Sequence, residues 1–295
     1  MNSFPNISRA IGLLALVFAI QILIGIPVSV LGLVMKTSLM NNPLTIAFFN
    51  TVSIGLVLLI GIRLTNASFK EVFPLTPIRA TLLFPMSFTV IGMSILLSEI
   101  DNRVRTILPV PAWLTEILQN LFGAPENFFG AMTTLVIVAP LTEELLFRGL
   151  ILRGFLSNYS VRKAIIGSAL LFGAFHLNPW QFTGAAVLGV VFAWWFVKTR
   201  SLLPCLFGHA LNNGLPIILL ALPQLQIRGY STEITDRVEF QPLWFDTLGL
   251  LLAGMGIWWL YREFVEIEAT RSRELSVASA TEPAFSDNGR MENPS

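Results

Sequence analysis

Two adjacent carboxylates, Glu143 and Glu144, close an apolar run that extends without charge from Phe128 to Leu141. The chain has two histidines, His176 and His209, and each stands in an apolar stretch. A charge deep in a bilayer costs at least about 2.5–3.5 kcal/mol on insertion scales, so it persists where it is paired or used. On a helix, Glu144 and Arg148 share a face and can pair. Glu143 is rotated about a quarter turn from them and has no such local partner. A carboxylate without a structural partner is the one left for chemistry. Phe172 and His176 have helical spacing, as do His209 and Asn213, so each pair shares one face.

A glutamate and a histidine converging on one water can remove its proton as it attacks a carbonyl. A second histidine and a carboxamide can donate to the oxygen that becomes negative, and such donors are worth roughly 3–4 kcal/mol each in acyl transfer. The residues therefore suggest Glu143 with His176 as a water-activating pair and His209 with Asn213 as oxyanion donors. The reaction would be peptide hydrolysis inside the bilayer. Alternatively, Glu143, His176 and His209 could bind Zn2+, which would then activate the water. The compact H-E-x-x-H signature of zinc proteases is absent. No Gly-x-Ser-Gly or Gly-x-Gly-Asp motif supports a serine or aspartyl mechanism. Cys205 precedes His209 by one turn, which leaves a cysteine–histidine pair conceivable.

Plainer readings stand beside these. A membrane histidine is often an interhelical hydrogen bond, and Asn213 beside Gly214 reads as a helix break. Glu144 with Arg148 reads as structural support. Gln21 and Asn50 read as interhelical glue, and Asp246 as a cap. Buried Glu, His and Asn would also suit a proton-coupled transporter, although no repeated halves are visible. A non-catalytic immunity or binding protein is the third reading.

The elements that must position these residues are read from hydropathy. The chain is 54% hydrophobic and 13% charged, with a mean hydropathy of +0.70; soluble domains carry roughly twice that charge. This composition predicts an all-α polytopic membrane bundle. Net charge of +1 argues against a nucleic-acid partner. About eight spans can be marked off, near Ala10–Met35, Pro43–Ile62, Ala80–Leu97, Asn127–Phe147, Ala164–Leu177, Phe182–Val197, Leu202–Leu222 and Pro242–Tyr261. The first reads as a retained helix rather than a cleaved signal. Arg148, Arg153, Arg162 and Lys163 read as a basic connection, and Asn212 to Pro216 as an interruption of the seventh span. Trp113–Phe122 reads as an interfacial segment.

Of the nineteen Lys and Arg residues, only Lys36, Arg103, Arg105, Arg228 and Arg237 fall in one set of alternate connections. The rest lie in the other set with both termini, which are therefore expected in the cytoplasm. Measured from the basic residues at that side, Glu143, His176 and His209 lie at similar depth, roughly 12–20 Å along their helices. Residues 1–126 form the N-terminal spans with an interfacial segment, and 127–222 the candidate catalytic core. Residues 223–262 supply a loop and the last span. The tail, 263–295, reads as disordered for lack of apolar periodicity.

Three motifs, in order, resemble those of the CAAX protease and bacteriocin-processing family, also called CPBP or Abi. They are Glu143-Glu144-Leu-Leu-Phe-Arg148, Phe172-Gly-Ala-Phe-His176 and His209-Ala-Leu-Asn-Asn213. Arg148-Gly149 and Arg200-Ser201-Leu202-Leu203-Pro204 are similar to the family's flanks. The resemblance covers about Asn127–Pro216. It implies an eight-helix intramembrane endopeptidase in which the first Glu and first His activate water and the second His and the Asn serve the oxyanion. Eukaryotic members remove the last three residues of prenylated proteins, and bacterial members are linked to bacteriocin maturation or self-immunity. It further implies a peptide or membrane-associated protein substrate, contact with membrane lipid, and a bacterial inner or plasma membrane. Both metalloprotease and metal-free glutamate mechanisms are argued for the family.

Overall fold

The protein is described by a computed structural model, in which residues 4–37, 39–123, 125–220, 222, 224, 227–230 and 238–281 can be placed. Among the described residues the only regular structure is helical, as the hydropathy pattern predicts. Helix α1 is Ile7–Met35, capped by the Asn6 side chain and ended by Lys36 in the left-handed region. Helix α2 is Pro43–Thr65. It begins under an Asn42 cap with Pro43 in its first turn, where the missing N–H costs nothing. Gln21 on α1 donates to Asn50 on α2 across 2.9 Å, so both residues serve as interhelical glue, as expected of each. Next come α3, Phe69–Val72, with a Ser68–Glu71 capping box, and α4, Leu83–Ile107.

Helix α4 continues well past the expected end at Leu97. The added turns are polar yet helical because Glu99 pairs with Arg103 at 3.2 Å and Asp101 with Arg105 at 2.7 Å, both at helical spacing. Within the segment read as interfacial, residues 112–118 form the short helix α5, Ala112–Leu118, with Trp113 exposed.

The centre of the molecule is one uninterrupted helical rod, residues 128–158. It consists of α6 (Phe128–Met132), a π segment (Thr133–Val138), α7 (Ala139–Glu144), a second π segment (Leu145–Leu152) and α8 (Arg153–Asn158). Arg148 and Arg153 therefore belong to the rod and not to a basic connection, which shrinks to Tyr159 and Ser160. The rod continues through Arg148 because Glu144 neutralises that guanidinium inside the protein. Every residue from Leu146 to Leu152 is buried, so this stretch faces protein all round.

Around the rod stand α9 (Val161–Phe175), α10 (Pro179–Thr199), α11 (Leu203–Leu220) and α12 (Leu243–Thr281). The expected interruption of the seventh span is absent. Helix α11 passes through Asn212, Asn213, Gly214 and Pro216, and the two carboxamides find partners beside it. Helix α12 lies against α4 at a crossing built on small residues. A Cβ on Gly92 would strike the backbone of Gly249 and Ala253, and one on Gly256 would strike Pro85 and Thr89.

The tail expected to be disordered from residue 263 is helical as far as Thr281. Phe264 is buried, and Glu268 pairs with Lys198 of α10 at 2.8 Å, so the first turns beyond the apolar span are held by packing and charge. Residues 282–295, and most of the polar segment 223–237, lie outside the described residues. Among the described residues, five helices are long and apolar enough to cross a membrane: Ile7–Met35, Pro43–Thr65, Ala80–Ile107, Pro179–Thr199 and Leu243–Thr270. Apolar α11 is shorter, and the protein is an integral membrane protein.

Candidate active site

Helix α7 carries Thr142, Glu143 and Glu144 between the two π segments. Each π turn takes in an extra residue and so rotates the helix beyond it, a device concentrated at functional sites. Glu144 is fully buried and its Oε1 accepts from Arg148 Nη1 at 2.9 Å. The same oxygen accepts from His209 Nδ1 at 2.8 Å. Arg148, itself 2% exposed, also donates through Nη2 to the Gly189 carbonyl at 3.2 Å. Its guanidinium lies 4.6 Å from the Phe172 ring centroid and 5.4 Å from that of Phe192. This arrangement supplies both charge and face partners for a buried cation.

The expected Glu144–Arg148 pair is thus present, and it does more than sequence spacing suggests. It fixes the tautomer of His209. The Glu144 carboxylate accepts from both neighbours, so His209 Nδ1 carries a proton and Nε2 is the nitrogen left for chemistry. Phe192 stacks on the same ring at 5.9 Å with an interplanar angle of 27°. His209 Nε2 stands 3.9 Å from Glu143 Oε2, too far for a direct hydrogen bond but close enough to share a third polar atom. Glu143 Oε2 is buried and accepts no hydrogen bond among the described residues.

His176 caps the C-terminus of α9, where the next residue, Leu177, turns left-handed. Its Nδ1 bonds the Phe172 carbonyl at 2.9 Å. A carbonyl only accepts, so this nitrogen also carries the proton and Nε2 of the neutral ring keeps its lone pair. Phe172 meets the His176 ring edge-on at 5.2 Å and the His209 ring at 5.7 Å. One phenyl therefore braces both imidazoles and covers Arg148, which gives a physical reason for a Phe one turn before His176. Asn213 donates from Nδ2 to the Leu135 carbonyl of the first π segment at 2.9 Å and accepts at Oδ1 from Asn212 at 3.1 Å. These contacts fix its orientation and leave its second N–H uncommitted among the described residues.

Glu143, His176, His209 and Asn213 all line one cavity of about 370 Å3. Glu144, Arg148 and Phe172 sit behind them as support. Asn50 and Gln181 share the cavity wall from outside the three motifs, and Asn212 joins them from between His209 and Asn213. A polar residue inside an apolar span is the only signal that could have marked Asn50. Among the described residues, no three His, Cys, Asp or Glu side chains are grouped as metal ligands would be. Cys205 is fully buried and donates to the Phe192 carbonyl at 3.2 Å, while His209 is engaged with the glutamates, so no cysteine–histidine pair forms.

Residues 125–215 match the family described as Type II CAAX prenyl endopeptidase Rce1-like. The similarity covers this segment. It spans the rod, α9, α10 and most of α11, and so contains every residue of the three motifs. The match agrees with the resemblance that the three motifs carry. No curated protein and no solved structure matches the chain.

Proposed function

We propose that the chain is a membrane-embedded endopeptidase in which Glu143 and His176 activate water and His209 and Asn213 hold the oxyanion. The observation that carries this reading is a single cavity lined by all four side chains, in which Glu143 presents a carboxylate oxygen without a structural partner. Glu143 removes a proton from a water that is also oriented by the lone pair on His176 Nε2, and the oxygen adds to the scissile carbonyl. The negative charge that develops on the carbonyl oxygen is met by the second N–H of Asn213 and by His209. Nδ1 of His209 is held by Glu144, so Nε2 is the atom through which this ring meets the oxyanion. Glu143 then returns the proton to the leaving nitrogen as the C–N bond breaks. In this scheme the residues act without a metal.

The cavity's remaining wall includes Ile46, Phe122, Leu135 and Ile217, a surface suited to aliphatic side chains or a lipid chain. Together with the Rce1-like match, this favours a CAAX-type substrate, and we take a prenylated peptide as the first probe. The reading retains eight spans with both termini at the cytoplasm, where such a peptide would arrive.

Purified protein in detergent is expected to release the C-terminal tripeptide from an internally quenched peptide ending in S-farnesyl-Cys-Val-Ile-Met. His176→Ala should lower the rate by about a hundredfold or more, in the range of lost acid–base assistance. A metal chelator should leave the wild-type rate unchanged. Failure to cleave either this peptide or its unprenylated twin would remove the CAAX-type reading, and chelator-sensitive cleavage with stoichiometric bound metal would remove the metal-free scheme.

Phe172→Leu keeps an apolar side chain but removes the ring that braces both imidazoles. Cleavage is expected to fall about tenfold, with a loss of about 1–2 kcal/mol in unfolding from the missing aromatic and cation–π contacts. Rates and thermal unfolding measured on the same preparation check both.

A further inference from the structure

A second cavity, of about 350 Å3, adjoins the first. Its far wall is formed by Ser94, Ser98 and Asp101 of α4, with Gly184, Ala185 and Leu188 of α10 beside them. The two cavities share a row of wall residues: His176, Gln181, His209, Asn212, Asn213 and Pro216. Three of the four proposed catalytic groups, His176, His209 and Asn213, therefore stand at a divide between two spaces, with Glu143 on the wall of the first. Each space alone lies near the lower end of the roughly 300–1,000 Å3 of ordinary ligand sites. A peptide cut in its interior needs room on both sides of the scissile bond.

Of the shared residues outside the proposed machinery, Pro216 has no donor and Asn212 directs its amide to Asn213. Gln181 differs. Its Oε1 accepts from Asn178 Nδ2 at 3.2 Å, which leaves both Nε2 protons uncommitted among the described residues. The turn that carries it is fixed: Asn178 caps α10 by accepting from the Trp180 and Gln181 backbone, and the Trp180 indole donates to the Leu108 carbonyl at 2.6 Å. An amide donor carried on a held turn at such a divide suits a backbone carbonyl.

We infer that the α4-side cavity is a second subsite of one peptide-binding cleft, and that Gln181 Nε2 holds a substrate backbone carbonyl where the extended chain crosses between the cavities. This rests on the endopeptidase reading. It adds that recognition extends toward α4, past the residues of the three motifs.

Gly184 provides the steric test. A Cβ there would meet nothing within 4 Å, so Gly184→Phe should fold, gain helix propensity and place its ring in the α4-side cavity. Gln181→Glu tests the donor, because glutamate keeps the shape and the acceptor for Asn178 and loses both N–H groups. Binding of the fluorescein-labelled farnesyl peptide is followed by anisotropy in the Glu143→Gln protein, with cleavage measured separately in the Glu143 protein. Gln181→Glu and Gly184→Phe are each expected to weaken binding, and to lower kcat/KM, about five- to tenfold, mainly through KM, with unfolding temperatures unchanged. Gln181→Asn should fall between wild type and Gln181→Glu. Wild-type affinity in both Gln181→Glu and Gly184→Phe would overturn the inference while leaving the endopeptidase reading standing. Absent cleavage by the wild type would overturn that reading, and the anisotropy series would still judge the subsite.

Discussion

Glu143→Gln is expected to reduce peptide cleavage by at least about a hundredfold, and as much as about ten-thousandfold, while leaving the unfolding temperature unchanged or slightly raised. Glutamine has the shape of glutamate but cannot take the proton from water. The folded state loses nothing, because Glu143 Oε2 is buried without a hydrogen bond, and its nearest basic group, His209, stands 3.9 Å away. A buried acceptor left unsatisfied costs stability, and its persistence calls for a use. Glu144→Gln should behave in the opposite way. It removes the charge that both Arg148 and His209 bond, so unfolding temperature and activity should fall together. Measuring both quantities for the two neighbouring variants separates the roles. Loss of stability with Glu143→Gln, or full cleavage by it, would contradict the assignment of Glu143 as the base.

Arg148→Met is expected to be the most destabilising single change at the site, by about 3–5 kcal/mol, because it strips the cation from a fully buried Glu144 carboxylate. Loss of the Gly189 bond and of the contacts with the Phe172 and Phe192 rings adds to this. Arg148→Lys should recover only part of the loss, since one ammonium cannot reach Glu144, the Gly189 carbonyl and two ring faces in a single plane. The double variant Arg148→Met with Glu144→Gln should be more stable than Arg148→Met alone, because no uncompensated charge then remains. It should still cleave poorly, since His209 loses the carboxylate charge that holds its Nδ1. Thermal unfolding of wild type, the two single variants and the double variant in one detergent forms the double-mutant cycle that measures the coupling. An Arg148→Met protein as stable as wild type would show that Glu144 is not held as a buried carboxylate.

Much of the positioning logic is legible in the sequence. Spacing alone predicts that Glu144 and Arg148 pair, and that Glu143 is left over, because helical geometry brings residues four apart onto one face. The segment similar to the Rce1-like family carries the same three motifs. Spacing misses the contacts across the chain. Glu144 reaches His209, 65 residues away, and Asn213 reaches the Leu135 carbonyl, 78 residues away. No local pattern encodes either. The helix boundaries that differ from expectation do so for a related reason. Arg148 reads as the start of a cytoplasmic link because a lone arginine is costly in an apolar rod. Its neutralisation by Glu144 and two aromatic faces lets the rod continue to Asn158. Asn212, Asn213 and Pro216 read as a break in α11, yet neighbouring carbonyl and carboxamide groups take up the polar atoms and the helix passes through.

By itself, then, the amino-acid sequence determined the helical membrane class, the site's residue types and the local pairing of one acid with one base, because hydropathy and helical periodicity act over a few residues. Only the tertiary structure decided which nitrogen of each imidazole is already bonded, that Glu144 holds His209 as well as Arg148, and that two adjoining cavities share His176, His209 and Asn213. Those outcomes depend on directions and distances between separate helices, which no spacing along one helix can specify.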